Sequence, residues 1–379
     1  MGPETTRRVL ALLALAGLGF ALTAAALRPL VPWPEDYGLA AKLRWWEEHA
    51  QEYDLVFLGS SRVYRAFDPA AFEEELARHG RPLRAFNFGV GGVRPFEMDL
   101  ILRAVLARAP ERLRWVLFEC LALDPRFPAR EDPTAGRVVF WHTPGRTRDV
   151  LRALASTPFE PEDARELARE RPLLARVAEA AGGLEPAWRL DLAHRHLQAL
   201  LWNLTSYGQG PAMLGGLLDE DLTGARRTAL TPEELAHRHG YVPFEENAEE
   251  VDQLRNERLR ADPSDYLRRV RELEAEADEL PDVGTLVPQV FAARGAAVRA
   301  AGAELVHVIV PDRSPRLEGR VLARAGAIET LFDLNQPLVW PELFTLESRY
   351  DMGHLSRAGA LEFSRTLARL LAQHLESRP

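Results

Sequence analysis

The sequence contains very little cysteine or lysine, and its acidic residues outnumber its basic ones. The one cysteine, Cys120, excludes an intramolecular disulfide framework and any zinc module built on several cysteines. Lys+Arg total 47 against 56 Asp+Glu, so the net charge is -9, which argues against a general nucleic-acid-binding protein. Lys42 is the only lysine, and the bias towards arginine is interpreted as codon usage.

What is present is the composition of a folded protein. The 379 residues are 46% hydrophobic and 27% charged, a balance that disordered chains lack. The length is enough to bury a substantial core and suggests about two domains.

A long uncharged stretch, Val9 to Leu27, follows two arginines near the start of the sequence. As a helix it would be roughly 28 Å long, close to the hydrocarbon thickness of a bilayer. Cations precede it and no comparable cluster follows. This predicts a single-pass anchor over 9–30 in the inner (cytoplasmic) membrane, with 1–8 in the cytoplasm and the rest of the chain extracytoplasmic. The alternatives are a signal peptide cleaved near Ala24–Ala26 and a buried soluble helix.

Short apolar runs alternate with helical patterns in two parts of the chain. Asp54–Leu58, Arg84–Phe88 and Trp115–Phe118 predict buried strands, as does the later run Glu304–Val310. Ser356 predicts the N-cap of a final helix. The pattern is typical of an α/β protein with a parallel sheet covered by helices on both faces.

The alternation is interrupted over 128–284, where the sequence is helical in pattern and rich in Arg, Glu, Leu and Ala. A loop of this length without secondary structure is improbable, so we expect a helical insertion or cap. The predicted organisation is then a linker and helix over 31–50, a first core part over 51–127 and a second core part over 285–379.

Gly59-Ser60-Ser61 follows the first predicted strand. A small residue there allows a sharp turn that leaves the next side chain at the mouth of the sheet. Backbone N–H groups at such a turn can stabilise an oxyanion, which suits a nucleophilic hydroxyl. A plain turn with a helix cap is the alternative.

The segment Asn87–Gly92 follows the second strand and is rich in glycine. Glycine lets the backbone approach a substrate and aim an N–H at it. The glycine spacing does not match a dinucleotide-binding motif, and an ordinary strand-to-helix turn is the alternative.

Asp351-Met352-Gly353-His354 lies just before the final helix. A serine is a weak nucleophile until a base takes its proton, and a carboxylate must orient that base. Asp351 and His354 provide these two groups, unless the loop is only solvated polar surface.

The three segments, in this order, resemble the motifs of the SGNH (GDSL-like) hydrolase superfamily, over roughly 51–127 and 285–379. The resemblance implies a three-layer, flavodoxin-like fold and a triad of Ser61, His354 and Asp351, with Ser60 as the alternative nucleophile. It also implies an oxyanion hole formed by the N–H groups of Ser61 and Gly92.

The anchor and the Asp-x-x-His-Leu form resemble the branch of envelope O-acetylation proteins, such as those that modify alginate. This implies an acyl esterase or O-acyltransferase, acting on an acylated glycan or a small acyl ester, with no metal or cofactor. A transferase outside the membrane would need a membrane partner to deliver the acyl donor. A non-catalytic binding or assembly subunit of a polysaccharide modification or export complex is the alternative.

One family motif is absent. The superfamily has Gly-x-Asn-Asp after the third strand, where this chain reads Glu119-Cys120-Leu121. The Asn that would donate a third hydrogen bond to the oxyanion is therefore missing, and Asn87 is a candidate substitute.

Three further residues are candidate substrate contacts. Arg62 would hold an anionic substrate or pair with a carboxylate. Trp141 and His142 in the insertion would line a substrate groove, since aromatic rings stack on sugars, or else belong to a core.

Overall fold

The computed structural model describes residues 3–27, 33–34, 38–108, 110–127, 132–205, 230–246, 248–275 and 283–377. The chain forms two compact units. The sheet unit comprises 36–123 and 227–379, and the helical unit comprises 1–35 and 124–226.

The sheet unit is built on a five-stranded parallel sheet in the order β2-β1-β3-β4-β5. The strands are β1 (Leu55–Gly59), β2 (Ala85–Gly89), β3 (Trp115–Glu119), β4 (Glu304–Ile309) and β5 (Leu331–Asp333). β1 to β3 are buried along their whole length, as expected for a parallel sheet with both faces covered. The α/β prediction and its four strands are confirmed, and β5 is an addition.

Helices cover both faces of the sheet. They are α2 (Leu39–His49), α3 (Ser61–Ala66), α4 (Pro69–Arg78), α5 (Pro95–Ala107), and, after the long interruption, Leu286–Ala300, Leu317–Arg324 and Arg357–Glu376. On one face, Leu55 and Phe57 pack in a core with Phe72 of α4 and Phe363 of the last helix. On the other face, the ring of Trp46 in α2 lies 5.9 Å from that of Phe86 and 6.2 Å from that of Phe88. Alternate strand residues thus fill two separate apolar layers.

The segment predicted as one insertion, 128–284, is divided between the two units, which corrects the predicted boundaries. Its later helices, Pro232–Arg238, Glu250–Ala261 and Ser264–Glu274, belong to the sheet unit. Tyr266 and Val270 are buried in the core of that unit. The carbonyl oxygen of His239 accepts a hydrogen bond of 2.8 Å from the N–H of Asn87 in edge strand β2. The burial of these apolar side chains explains why this part of the insertion folds against the sheet.

The helical unit contains α1 (Pro3–Leu27) and five further described helices, α6 (Gly136–Trp141), α7 (Pro144–Ser156), α8 (Pro161–Glu170), α9 (Pro172–Ala180) and α10 (Leu184–Thr205). Its core is formed by Phe127, Leu154, Leu167, Trp188 and Leu192. Within α1, the stretch Glu4–Ala24 is long and apolar enough to cross a membrane. Only 6% of its 18 most apolar consecutive residues are buried. This agrees with the predicted apolar helix, while 28–32 lie outside the described residues.

Candidate active site

Ser61, His354 and Asp351 form a continuous chain of hydrogen bonds. Ser61 Oγ lies 2.9 Å from His354 Nε2, although 293 positions separate the two residues in sequence. His354 Nδ1 lies 3.0 Å from both carboxylate oxygens of Asp351. A carboxylate only accepts, so Nδ1 carries the hydrogen and Nε2 is free to accept the hydroxyl proton of Ser61. This is the arrangement of a nucleophile, a general base and the carboxylate that orients the base.

The sharp turn after β1 sets the position of Ser61. A side chain at Gly59 would have its Cβ 2.1 Å from Val63 Cγ2 and 2.8 Å from Glu119 Oε2, so only glycine fits. Ser60 caps α3, and its buried hydroxyl accepts from the N–H of Arg62 at 3.3 Å. Ser61 is then the first residue of the helix. Of the two serines that the sequence offered, Ser61 is the one whose hydroxyl meets the imidazole.

The loop that carries the histidine is fixed by its own aspartate. Asp351 is buried, and its Oδ1 accepts from the N–H groups of Gly353 at 2.7 Å and His354 at 2.8 Å. Burial alone would raise the pKa of Asp351, but the hydrogen bonds and charge of His354, with these N–H groups, lower it below its ordinary value. The carboxylate therefore stays ionised and holds the ring in one orientation.

The later part of the insertion braces this loop, which the sequence did not reveal. Asn256 Nδ2 donates to the carbonyl oxygen of Tyr350 at 2.5 Å. Arg260 donates to the carbonyl oxygens of Leu346 at 2.7 Å and Arg349 at 2.6 Å. The ring of Phe244 lies 4.9 Å from that of His354. A long-range brace of this kind has no local signal in the sequence.

A glycine-containing turn after β2 faces the same end of the sheet. The N–H of Val90 donates to the carbonyl oxygen of Gly59 at 2.9 Å, which ties this turn to the strand that precedes Ser61. Gly92 has φ 62, a left-handed conformation that favours glycine, and it is exposed. Among the described residues, none accepts a hydrogen bond from the N–H of Ser61 or Gly92. Both groups are thus available as donors.

Asn87 is a structural residue, which corrects the expectation that it donates to an oxyanion. Its Nδ2 donates to the carbonyl oxygens of Phe67 at 2.7 Å and Val63 at 2.9 Å. Its Oδ1 accepts from the N–H of Gly89 at 2.8 Å, and the side chain is fully buried. Both amide hydrogens are therefore already used by the main chain.

The only lysine of the chain lies behind the glycine turn. Lys42 is fully buried, and its Nζ donates to the carbonyl oxygen of Gly89 at 2.8 Å. The same Nζ lies 4.4 Å from the centroid of the Tyr64 ring. Burial, and then the charge of Arg65, hold the pKa of Lys42 well below its ordinary value.

Glu119 is the last residue of β3 and begins the segment Glu119-Cys120-Leu121, which contains no asparagine. Its side chain is fully buried, with Oε2 accepting from the N–H of Ser60 at 2.5 Å and Oε1 from Nε of Arg62 at 2.9 Å. Arg62 also donates to Asp312 Oδ2 at 2.8 Å, and Arg316 pairs with the same carboxylate. Burial would raise the pKa of Asp312, but the two arginines lower it. Of the two roles predicted for Arg62, the structure has the pairing with carboxylates.

Trp141 and His142 are core residues of the helical unit, which corrects their prediction as groove residues. His142 is fully buried, with Nδ1 2.6 Å from the carbonyl oxygen of Val138 and Nε2 2.9 Å from His196 Nδ1. Burial lowers the pKa of His142 to about 3. The ring of Trp141 packs 3.7 Å from that of His142 and is itself buried. Neither side chain is available to a substrate.

Across the described ranges, no group of three or more His, Cys, Asp or Glu side chains is placed to hold a metal ion.

Comparisons with known protein families, curated proteins and solved structures find no match to this chain. A functional proposal must therefore be argued from the geometry of the site and the motifs that form it.

Proposed function

We propose that this protein is an SGNH-type serine acyl esterase or O-acyltransferase. The observation that carries the proposal is the hydrogen-bonded series Ser61–His354–Asp351, with 2.9 Å between Ser61 Oγ and His354 Nε2. The fold thus brings together two side chains 293 positions apart, just beyond the carboxyl end of the parallel strand β1. That end of an open α/β sheet is where ligands bind.

The reaction proceeds through an acyl-enzyme. His354 Nε2 takes the proton of Ser61 while Oγ bonds to the carbonyl carbon of the acyl ester. The resulting oxyanion accepts hydrogen bonds from the N–H groups of Ser61 and Gly92. The ester C–O bond then breaks, and the leaving alcohol takes the proton from His354. Water in an esterase, or a sugar hydroxyl in a transferase, then gives its proton to the same imidazole as it bonds to the acyl carbon. The bond between that carbon and Ser61 Oγ breaks, and Oγ takes the proton back from His354.

The fold supports this reading. The strand order β2-β1-β3-β4-β5 is that of flavodoxin-like sheets, in which the direction of winding reverses between the first and third strands. Ser61 directly follows β1, and Glu119 ends β3. The candidate site thus lies at the switch point, where this class of sheet binds its ligands.

We further propose that α1 crosses the inner (cytoplasmic) membrane once and that the catalytic part is extracytoplasmic. Arg7 and Arg8 precede the apolar stretch, which favours a cytoplasmic N-terminus. The proposed substrate is an acylated envelope glycan, with acetyl as the acyl group, on the basis of the motif resemblance. In a transferase a membrane partner would supply the acyl donor.

A second candidate, a non-catalytic binding or assembly subunit, is favoured by the missing asparagine. The segment Glu119-Cys120-Leu121 after Phe118 offers no side-chain amide that could donate to an oxyanion. Loss of one such donor typically costs about 10²–10³ in rate. The protein is then a slow enzyme if the N–H groups of Ser61 and Gly92 stabilise the oxyanion sufficiently, and is inactive if they do not.

The discriminating experiment follows hydrolysis of an aryl acetate by the full-length chain in detergent micelles. We expect turnover by the wild type, loss of turnover in Ser61→Ala, and retention of turnover in Ser60→Ala, which removes only a helix cap. A rate that rises when an oligosaccharide acceptor is added, with acetylated acceptor as product, identifies a transferase. No turnover by the wild type, or turnover unaffected by Ser61→Ala, contradicts the proposal.

A further inference from the structure

The helical unit presents an apolar face on α10, its longest described helix after α1. In α10, Leu190, Leu197, Leu201 and Leu204 are 70%, 49%, 60% and 46% exposed. At 3.6 residues per turn, these four positions fall within an arc of roughly 60° and extend over about 21 Å. We call them the leucine face. The opposite side of α10 is buried in the unit through Leu192, Ala199 and Asn203, among others.

The leucine face carries no charged side chain. One polar residue, His194, borders the arc, roughly 20° beyond Leu201. Helices of soluble proteins place their apolar stripe towards the core, whereas α10 has an apolar stripe on each side. A contiguous exposed apolar surface of this kind indicates an interaction site with protein or lipid.

The position of α1 indicates lipid. α1 and α10 pack against each other within the helical unit. Ala24, at the end of the stretch able to cross a membrane, is buried, while the leucines before it are exposed. The apolar helix thus leaves the folded unit beside α10.

A second contact brings the membrane boundary close to the C-terminal half of α10. The ring of Trp33, which follows α1, lies 4.6 Å from that of Phe140 in α6. Asn203 Nδ2 in α10 donates to the carbonyl oxygens of Val139 at 2.8 Å and Phe140 at 3.2 Å. Tryptophan is enriched at the membrane–water boundary, where its ring is amphipathic. Trp33, α6 and the last turns of α10 therefore occupy the level at which the chain would leave the bilayer.

We propose that the leucine face of α10 lies in the boundary layer of the bilayer that α1 crosses, between headgroups and acyl chains. The partner is thus a lipid surface, and the helical unit docks on it like an interfacial amphipathic helix. This inference rests on the proposed membrane anchor and is independent of the triad.

The test measures the depth of a nitroxide label in the full-length chain, with one copy per phosphatidylcholine nanodisc. Single cysteines replace Leu190, Leu197, Leu201 or Leu204. Cys120 can stay in place, because it is buried and burial raises the pKa of its thiol to about 12. Power saturation compares access of the label to oxygen, which concentrates in the bilayer, and to a nickel chelate, which stays in water.

Two matched labels calibrate the measurement. Arg165→Cys, on α8, replaces a side chain that is 75% exposed and represents a helical position in water. Leu15→Cys, within α1, represents the membrane interior. We expect oxygen-to-nickel ratios at all four leucine positions to exceed that at Arg165 several-fold and to stay below that at Leu15.

Three results would overturn the inference. If the oxygen-to-nickel ratios at the four leucine positions equal the ratio for the label at Arg165→Cys, the leucine face lies in water. A water-like ratio at Leu15 would remove the membrane span and the inference with it. The third result has two parts: spin–spin broadening in proteoliposomes that disappears on dilution with unlabelled chain, and water-like ratios in nanodiscs that hold a single copy. Together they would show that the leucine face binds a second copy of this chain. Aryl acetate hydrolysis by the same labelled chains reports on the proposed activity separately.

Discussion

Glu119 Oε2 accepts a hydrogen bond of 2.5 Å from the N–H of Ser60, one residue before the nucleophile. The carboxylate also holds Arg62, so it fixes the turn that presents Ser61. The segment that follows β3 thus contains a buried acceptor that positions the backbone and no asparagine. For the reaction proposed above, Glu119 is a positioning residue, and the oxyanion would depend on the main-chain donors alone.

Glu119→Gln is expected to destabilise the sheet unit and slow acylation of Ser61. A glutamine amide would turn its N–H₂ towards one of the two donors, the N–H of Ser60 or Arg62. Arg62 keeps its pairing with Asp312, so the cost should be below the value of about 3–5 kcal/mol for leaving a buried charge unpaired. The measurement is the thermal unfolding midpoint in detergent together with the acylation rate. The matched control is Glu74→Gln, whose side chain is 56% exposed and pairs with Arg78 on the surface, where a change below about 1 kcal/mol is expected. Equal midpoints for the two variants would contradict this role.

Arg260→Met is expected to lower the acylation rate several-fold by loosening the histidine loop. Arg260 donates to the carbonyl oxygens of Leu346 and Arg349, and each bond from a charged donor contributes about 1.5–3 kcal/mol. Arg258→Met, on the same helix, removes an exposed arginine for which no described hydrogen bond to the loop is found, and should leave the rate unchanged. Equal rates for the two variants would show that the brace does not position His354.

Lys42→Met is expected to slow acylation by about tenfold, because one hydrogen bond to the glycine turn is lost. Methionine keeps the apolar stem in its buried site, so the effect should fall on the rate constant rather than on substrate affinity. Arg44→Met, on the exposed side of the same helix, is the control and should leave the rate constant unchanged. An altered affinity with an unchanged rate constant would mean that Lys42 does not support the oxyanion turn.

Asp351→Asn is expected to lower turnover by about 10⁴, the cost of losing the carboxylate that orients a catalytic imidazole. Its effect on stability should depend on pH. The pKa of Asp351 is lowered in the folded protein, so its ionised carboxylate stabilises the fold. This contribution is complete at pH values above the pKa of an aspartate in the unfolded chain, about 3.9, and is lost as the pH falls through the lower pKa of Asp351 in the folded protein. The difference in unfolding free energy between wild type and variant should therefore narrow as the pH falls below about 4. A difference that stays constant with pH would contradict this assignment.

Much of the sheet and the three candidate catalytic residues were predictable from the sequence. The first four strands are short, largely apolar runs, and parallel strands bring their carboxyl ends to one edge, so the turns that carry Ser61 and Gly92 follow neighbouring strands at that edge. Ser356 does cap the last helix, with its hydroxyl accepting from the N–H of Gly359. Strand β5 has only three residues, too few for a periodic signal.

What the sequence could not reveal depends on contacts between distant residues. A glutamate after a strand is usually solvated, so the buried role of Glu119 has no local signal. Asn87 was misread because its amide is used by carbonyls some 20 residues earlier in the chain. Trp141 and His142 looked suited to a groove, but their burial depends on a core assembled around Phe127 and Trp188.

The central claim is that His354 activates Ser61 for attack on an acyl carbon. The most direct test treats the full-length chain with a fluorophosphonate and locates the adduct by peptide mass spectrometry. We expect one adduct, on the peptide that contains Ser61, which the wild type forms and the His354→Ala variant does not. An adduct on another serine, or one that forms equally well without the imidazole, would contradict it.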